Sequence, residues 1–326
     1  MTEATAPERS GRFRLSPDDK PIVIAGLFVL VILAVGTAYT LMTRGDAPLL
    51  SPNYLLQQLQ VGAFLGIVAA GMMLVILLGH IDLSVPWTIA AAAMMATAVG
   101  GPMAIPVGLA IGLLVGLVNG FGVAYLRIPS MIFTLGVNAV LRGLMVAHTG
   151  GFAPQTAASD LMEYLATGRI LGIPVALLVW AVVSVGMAVL LNRTSVGKYI
   201  FAIGNKEAAA YLSGVPTRRV IIIAFCLCGM ASGLAGTLLA GYSTKAYQGM
   251  GDTYLLPAIA AVVIGGTNIL GGRGRYLGTL IGVILIVLLN SVLSIMQMPE
   301  AGRQVIYGSV IIGMLLVYGR GQAVTQ

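Results

Sequence analysis

Charge is the scarcest property of this chain. Asp, Glu, Lys and Arg make up 9% of its 326 residues, against about 25% in ordinary soluble domains. A water-soluble fold of this size would lack the polar surface to cover itself. Histidine is limited to His80 and His148, one at a membrane edge and one at a helix end. Nor is there the series of intramembrane carboxylates that proton-driven pumps carry. The two cysteines, Cys226 and Cys228, stand two apart in an apolar run. On a helix they point in different directions, so they read as small core residues rather than a disulfide or metal pair. No phosphate loop is present; "NRTSVGKY" at 192–199 lacks the first glycine of that motif. No nucleophile–base or metal-ligand constellation appears, so no catalytic residue and no metal site are assigned. If this chain moves a solute uphill, its motor belongs to another subunit.

What is present is grease: 58% hydrophobic residues and a mean hydropathy of +0.96. The apolar runs are continuous rather than alternating, which selects helices over a barrel. A bilayer core needs about 20 such residues. Ten segments qualify, near 21–42, 54–79, 84–99, 103–126, 130–148, 173–192, 219–241, 254–270, 276–297 and 303–319. The expected fold is an all-α polytopic membrane protein. Residues 1–20 read as a disordered cytoplasmic tail and 21–320 as one transmembrane domain. The run 21–42 is too long for the core of a secretory signal and reads as a retained span.

Basic residues set the orientation. With the N-terminus inside, the inner segments collect Arg9, Arg12, Arg14, Lys20, Arg127, Arg193, Lys198, Lys206, Arg218, Arg219, Arg273, Arg275 and Arg320. The outer side receives Arg44, Arg169, Lys245 and Arg303, and Arg142 falls within a span. This asymmetry puts both termini in the cytoplasm. The net charge of +7 is scattered over short loops, which argues against a nucleic-acid partner. Two outer loops stand out, 149–172 and 242–252, and 158–166 reads as a short helix lying on the membrane.

The halves of the chain are similar to each other. "IDLSVPWTIAAA" at 81–92 aligns with "GDTYLLPAIAAV" at 251–262, setting Asp82 over Asp252. "GLLVGLVNGFGVAYLRIP" at 112–129 aligns with "GVILIVLLNSVLSIMQMP" at 282–299, setting Asn119 over Asn290. In the ten-span model these repeats, about 54–148 and 219–319, are inverted. Both 84–99 and 254–270 are short and carry a proline near the start, Pro86 and Pro257. Short segments at matched positions of inverted halves point to a substrate pathway, hence to a transporter. Its candidate lining is Asp82, Ser84, Asn119, Asn138, Asp252, Asn268 and Asn290. The two aspartates also suit a plain capping role at the helices that follow them, and each neutral polar group suits interhelical hydrogen bonding.

One polar island remains, "IGNKEAAAYLSGVPTRR" at 203–219, inside the cytoplasmic loop 193–218. Asn205 is placed to cap a helix with Glu207 in its first turn, and Gly214 and Pro216 stop it. A helix of about eight residues is marginal alone in water and needs a partner surface.

Here the residues resemble a known family. "FAIGNKEAAAYLSGVPTRRV" is similar to the cytoplasmic coupling loop of ribose/xylose/arabinose-type ABC importer permeases. "GHIDLSV" at 79–85, "LRIPSMIFTLGVNAVLRGL" at 126–144 with "TGG" at 149–151, and "AIAAVVIGGTNILGGRG" at 258–274 match in the same order. The resemblance implies a bacterial inner-membrane subunit that translocates a monosaccharide or related polyol. It implies a cytoplasmic ATPase partner, a solute-binding protein outside, and a second permease copy. ATP and Mg would bind the partner, with no cofactor on this chain. Gly204, Asn205, Glu207, Ala208, Ala209, Leu212, Ser213 and Gly214 would meet the ATPase. His80 and Pro86 depart from the family's usual glycines. The alternatives are the same architecture carrying a sugar-like signal or branched-chain amino acid, or an ion-coupled transporter.

Overall fold

The computed structural model describes residues 20–152, 156–309 and 312, so the tail 1–19 and most of the tenth expected span lie outside the described residues. Among the described residues, seven helices are long and apolar enough to cross a membrane. They are α1 (Lys20–Arg44), α2 (Pro52–Leu77), α4 (Ala104–Ala124), α5 (Ser130–His148), α7 (Val175–Arg193), α10 (Thr217–Tyr242) and α12 (Tyr276–Ile295). The chain is thus a polytopic α-helical membrane protein. Between them lie α3 (Val85–Val99), α6 (Asp160–Thr167), α8 (Ser195–Asn205), α9 (Glu207–Leu212) and α11 (Leu255–Ile264). A further helical segment, 300–309, reaches the edge of the described residues.

The core is built around α2 and α10, each 26 residues long. Residues 62–77 of α2 are buried without interruption. An all-round apolar helix hides from water on every side, which is what its sequence encodes. On α10, Gly229 and Gly233 meet Gly112 and Gly108 of α4. A Cβ added at any of the four would overlap a backbone or side-chain atom of the facing helix. Backbones that approach this closely gain packing contacts that larger residues would forfeit.

Two of the expected spans do not span as helices. α3 has 15 residues and α11 has 10, giving lengths of about 22 Å and 15 Å where a bilayer core needs about 30 Å. They fill opposite halves of the bundle. α3 leans on the far end of α10, where Gly236 abuts Ile89, and α11 leans on the near end of α12, where Gly278 and Gly282 abut Gly265 and Ala261. The rest of each crossing is irregular chain. Connector 78–84 leaves the end of α2 on the face that carries α9, and connector 243–254 leaves the end of α10 on the face that carries α6. The second connector reaches the start of α3, where a Cβ on Gly251 would overlap the Pro86 carbonyl oxygen.

The segment 158–166 does form a helix, α6, with one face on the bundle and Leu161 and Tyr164 exposed on the other. Met162 and Ala166 are buried, Gln60 Nε2 donates to the Ala166 carbonyl at 2.8 Å, and Gly241 backs onto Met162. A two-residue hairpin follows, pairing Arg169–Ile170 with Ile173–Pro174. Leu171 and Gly172 turn it with positive φ values of 50° and 84°.

Candidate functional site

Irregular backbone at membrane depth must find hydrogen-bond partners within the protein. For connector 78–84 they come from one stripe of α5. Residues four apart share a helix face, and Ser130, Thr134 and Asn138 use that spacing. Ser130 Oγ accepts from the Ile81 N–H at 3.3 Å. Thr134 Oγ1 accepts from Leu83 at 2.9 Å, and Asn138 Oδ1 from Trp87 at 3.3 Å. The next position of the stripe is Arg142. Its guanidinium lies 5.8 Å from the Trp87 ring centroid, and its charge also acts on Asp252.

Asp82, Ser84 and Asn119 come together, each at most 1% exposed. Asp82 Oδ1 accepts from the Ser84 backbone N–H at 2.9 Å and from Ser84 Oγ at 2.6 Å. Asn119 Nδ2 donates to Ser84 Oγ at 2.7 Å and approaches Asp82 Oδ1 at 3.3 Å. Thr88 Oγ1 closes the knot by donating to the Ser84 carbonyl at 2.8 Å. These contacts hold the start of α3 to α4, and Asn119 Oδ1 is left buried without a partner.

The other four pathway candidates lie elsewhere. Asn138 belongs to the α5 ladder. Asp252 is exposed on the opposite connector, with Asn290 outside the knot: its Oδ1 accepts from Arg303 Nη1 at 3.0 Å. The repeat partners Asn119 and Asn290 therefore do different work. Asn268 shapes a turn on the α9 face, where its Oδ1 accepts from the Leu270 N–H at 3.1 Å.

The polar island folds as two helices. Thr194 caps α8, its Oγ1 accepting from Gly197 N–H at 3.2 Å. Gly197, Ile200 and Ile203 are buried, a three-residue spacing that seats α8 on the bundle. Asn205 ends α8, donating through Nδ2 to the Phe201 carbonyl at 3.1 Å, and Lys206 precedes α9. The expected cap is thus displaced by one residue and α9 has six residues. The reason is that "SVGKYIFAIGN" is itself a helix that uses Asn205 at its own end. Glu207 pairs with Arg127 at 2.6 Å, and Gly214 stops the run with φ +82°. Ala208, Ala209, Ser213 and Gly214 are exposed, as are Tyr211 at 66% and Leu212 at 85%.

Gly204 faces inward instead. A Cβ there would overlap the Leu77 carbonyl oxygen and sit 2.5 Å from Gly272 N, and Gly272 N–H donates to that same carbonyl at 2.9 Å. Three backbones meet at this joint: the end of α2, the end of α8 and the loop 265–275 that follows α11. His80 lies next to it, 6.1 Å from the Phe225 ring.

Residues 54–317 match the family described as Branched-chain amino acid transport system / permease component. The chain belongs to this permease family. It is 36% identical over 289 residues to the ribose import permease protein RbsC of Escherichia coli K12, covering 84% of this chain and 89% of that one. Against RbsC of Bacillus subtilis 168 the identity is 38% over 299 residues, 90% of each chain. The autoinducer 2 import system permease protein LsrD of Yersinia enterocolitica is 32% identical over 304 residues, again 90% of each. No solved structure matches the chain.

Within this permease, sequence reasoning missed Ser130 and Gln60 as structural donors and acceptors, and missed α8 altogether. A signal for Ser130 was available: Ser130, Thr134, Asn138 and Arg142 stand at intervals of four on an otherwise apolar helix. The whole stripe becomes legible once the facing connector is known to be irregular.

Proposed function

We propose that this permease is the membrane subunit of an ATP-driven importer that carries a monosaccharide across a bacterial plasma membrane. The observation that carries the reading is the pair of opposed half-helices with the exposed α9, in a chain 36–38% identical to ribose import permeases along most of its length. The family description mentions branched-chain amino acids, but the relatives above are named for ribose and autoinducer 2. Sugar-like solutes are therefore favoured over amino acids.

In this reading the α9 face is cytoplasmic, both termini lie there, and 303–319 completes ten crossings. The inverted-repeat reading pairs α2 with α10, α3 with α11 and α4 with α12; the 26 residues of both α2 and α10 and the 21 and 20 of α4 and α12 support it. A separate ATPase grips Ala208, Ala209, Tyr211, Leu212 and Ser213, and holds the ATP and Mg. A binding protein delivers the solute to the α6 face, and a second permease copy covers the exposed side of α5. Movement of α9 reaches the half-helices through the Gly204 joint. Leu77 leads into the connector that starts α3, while Gly272 lies in the loop that ends α11, so one push acts on both. Asp82, Ser84 and Asn119 act as positioning residues for α3 rather than as solute contacts, because none is open to solvent. Arg142, Asn138 and Asp252 are the polar groups nearest the place where the second connector reaches the start of α3.

Uptake of labelled D-ribose by cells expressing the chain with an ATPase and a binding protein from its own locus tests this. Uptake should vanish without the ATPase. Uptake by the chain alone in liposomes, driven by an ion gradient, would overturn the reading.

A further inference from the structure

A cavity of about 190 Å³ opens between α2, α11, α12 and the 300–309 helix. That is room for about six waters, or for one monosaccharide ring that displaces them. Its walls divide by chemistry. Val61, Leu65, Ile286 and Val287 make an apolar side, while Gln58, Thr253, Asn290 and Glu300 present amide, hydroxyl and carboxylate groups. Tyr254 and Tyr307 add aromatic surface, and Tyr254 and Pro257 belong to the approach and first turn of α11.

Charge is already balanced inside it. Arg303 Nη1 lies 3.6 Å from Glu300 Oε2 and donates to Asn290 Oδ1 at 3.0 Å, while its Nε and Nη2 donate to the Met298 carbonyl, both at 3.1 Å. The guanidinium is thus committed and neutralises the carboxylate. What remains for a ligand is the Asn290 NH₂ as donor, the second Glu300 oxygen as acceptor, and the two-way groups of Gln58 and Thr253. Few, fixed polar groups beside an apolar wall suit a neutral ring with hydroxyls on its rim.

We infer that each copy of the permease carries its own monosaccharide site in this cavity, apart from the α5 surface. The inference rests on the sugar-importer reading, which puts the cavity mouth on the side where solute arrives. A sugar released there docks above the start of α11 before the half-helices move.

Saturation-transfer NMR with D-ribose on the purified full chain in nanodiscs tests it, with D-xylose, D-arabinose and D-glucose as further probes. Wild-type protein should give ribose signals. Asn290→Leu, which removes the donor at constant bulk, should weaken binding about tenfold. Val61→Trp, which fills the space, should abolish it, and Glu300→Gln on the rim gives a milder variant should either fail to fold. Lys198→Ala, exposed on α8 and away from the cavity, should bind as wild type. Equal signals from wild type and the cavity variants would overturn the inference, as would no signal from any of the four sugars. Parallel uptake measurements separate the two levels. Ribose import unchanged by the cavity variants sinks the site and leaves the importer standing, whereas ribose binding without any uptake sinks the importer.

Discussion

Thr134 shows how much one hydroxyl carries here. It is fully buried, and it is the acceptor for an N–H that has no helical partner. Thr134→Val keeps the shape and removes the acceptor, leaving the Leu83 N–H unsatisfied at a cost of about 1–3 kcal/mol. The expected outcome is a lower unfolding temperature in detergent, measured by a thiol-reactive dye or by scattering, with Thr134→Ser recovering most of the loss. Unchanged stability in the valine variant would mean that the connector finds another acceptor. Asp82 sits in a comparable position, satisfied by a neighbour's hydroxyl and amide rather than by a cation.

At the level of elements, the contact of α4 with α10 depends on the absence of side chains. Gly112 and Gly229 face each other so closely that each would strike the other's carbonyl with a single added carbon. Gly112→Leu forces the helices apart and should cost about 3 kcal/mol or more. Membrane-inserted but unstable protein is the expected result, read as loss of the monodisperse peak in size-exclusion chromatography. The same substitution at Gly136 of α5, which has open space around it, should be tolerated by the isolated chain. A leucine tolerated equally at both positions would contradict the close α4–α10 packing. Half-helices follow a related logic. Each begins at a proline-led turn where irregular chain gives way to helix. Connector 78–84 is held by side chains of α5, and in connector 243–254 Gln248 donates to Thr149 and the Phe152 carbonyl.

For the whole molecule, the joint at Gly204 links the surface that faces the ATPase in the proposed reading to both half-helices. Gly204→Val should leave the protein in the membrane and its partners bound, with ATP hydrolysis by the assembled complex continuing while uptake is lost. Uptake at the wild-type level would remove the joint from the coupling route. This joint also marks where sequence reasoning stops. The runs of apolar residues and the short, proline-led segments revealed the helical membrane fold and its two interrupted crossings. Polarity at 203–219 revealed an exposed segment outside the apolar bundle. Inward packing of Gly204, the helix before Asn205 and the buried face of α6 were hidden. Each depends on which distant backbone lies alongside, and a glycine or an amphipathic turn reads the same against protein, lipid or water.

The α5 ladder has a consequence of its own, which lies in its spacing. Its acceptors recur every four residues, about 6 Å along a helix, and meet donors at Ile81, Leu83 and Trp87, the last already inside α3. Shifting α5 by one turn toward the α6 face would hand Leu83 to Ser130 and Trp87 to Thr134, freeing only Ile81, the N–H nearest the opposite surface. A shift the other way would bring Arg142, which has no acceptor, to the Trp87 N–H. Equal rungs with a donor at one end make a scale that can slip in one direction and is stopped in the other.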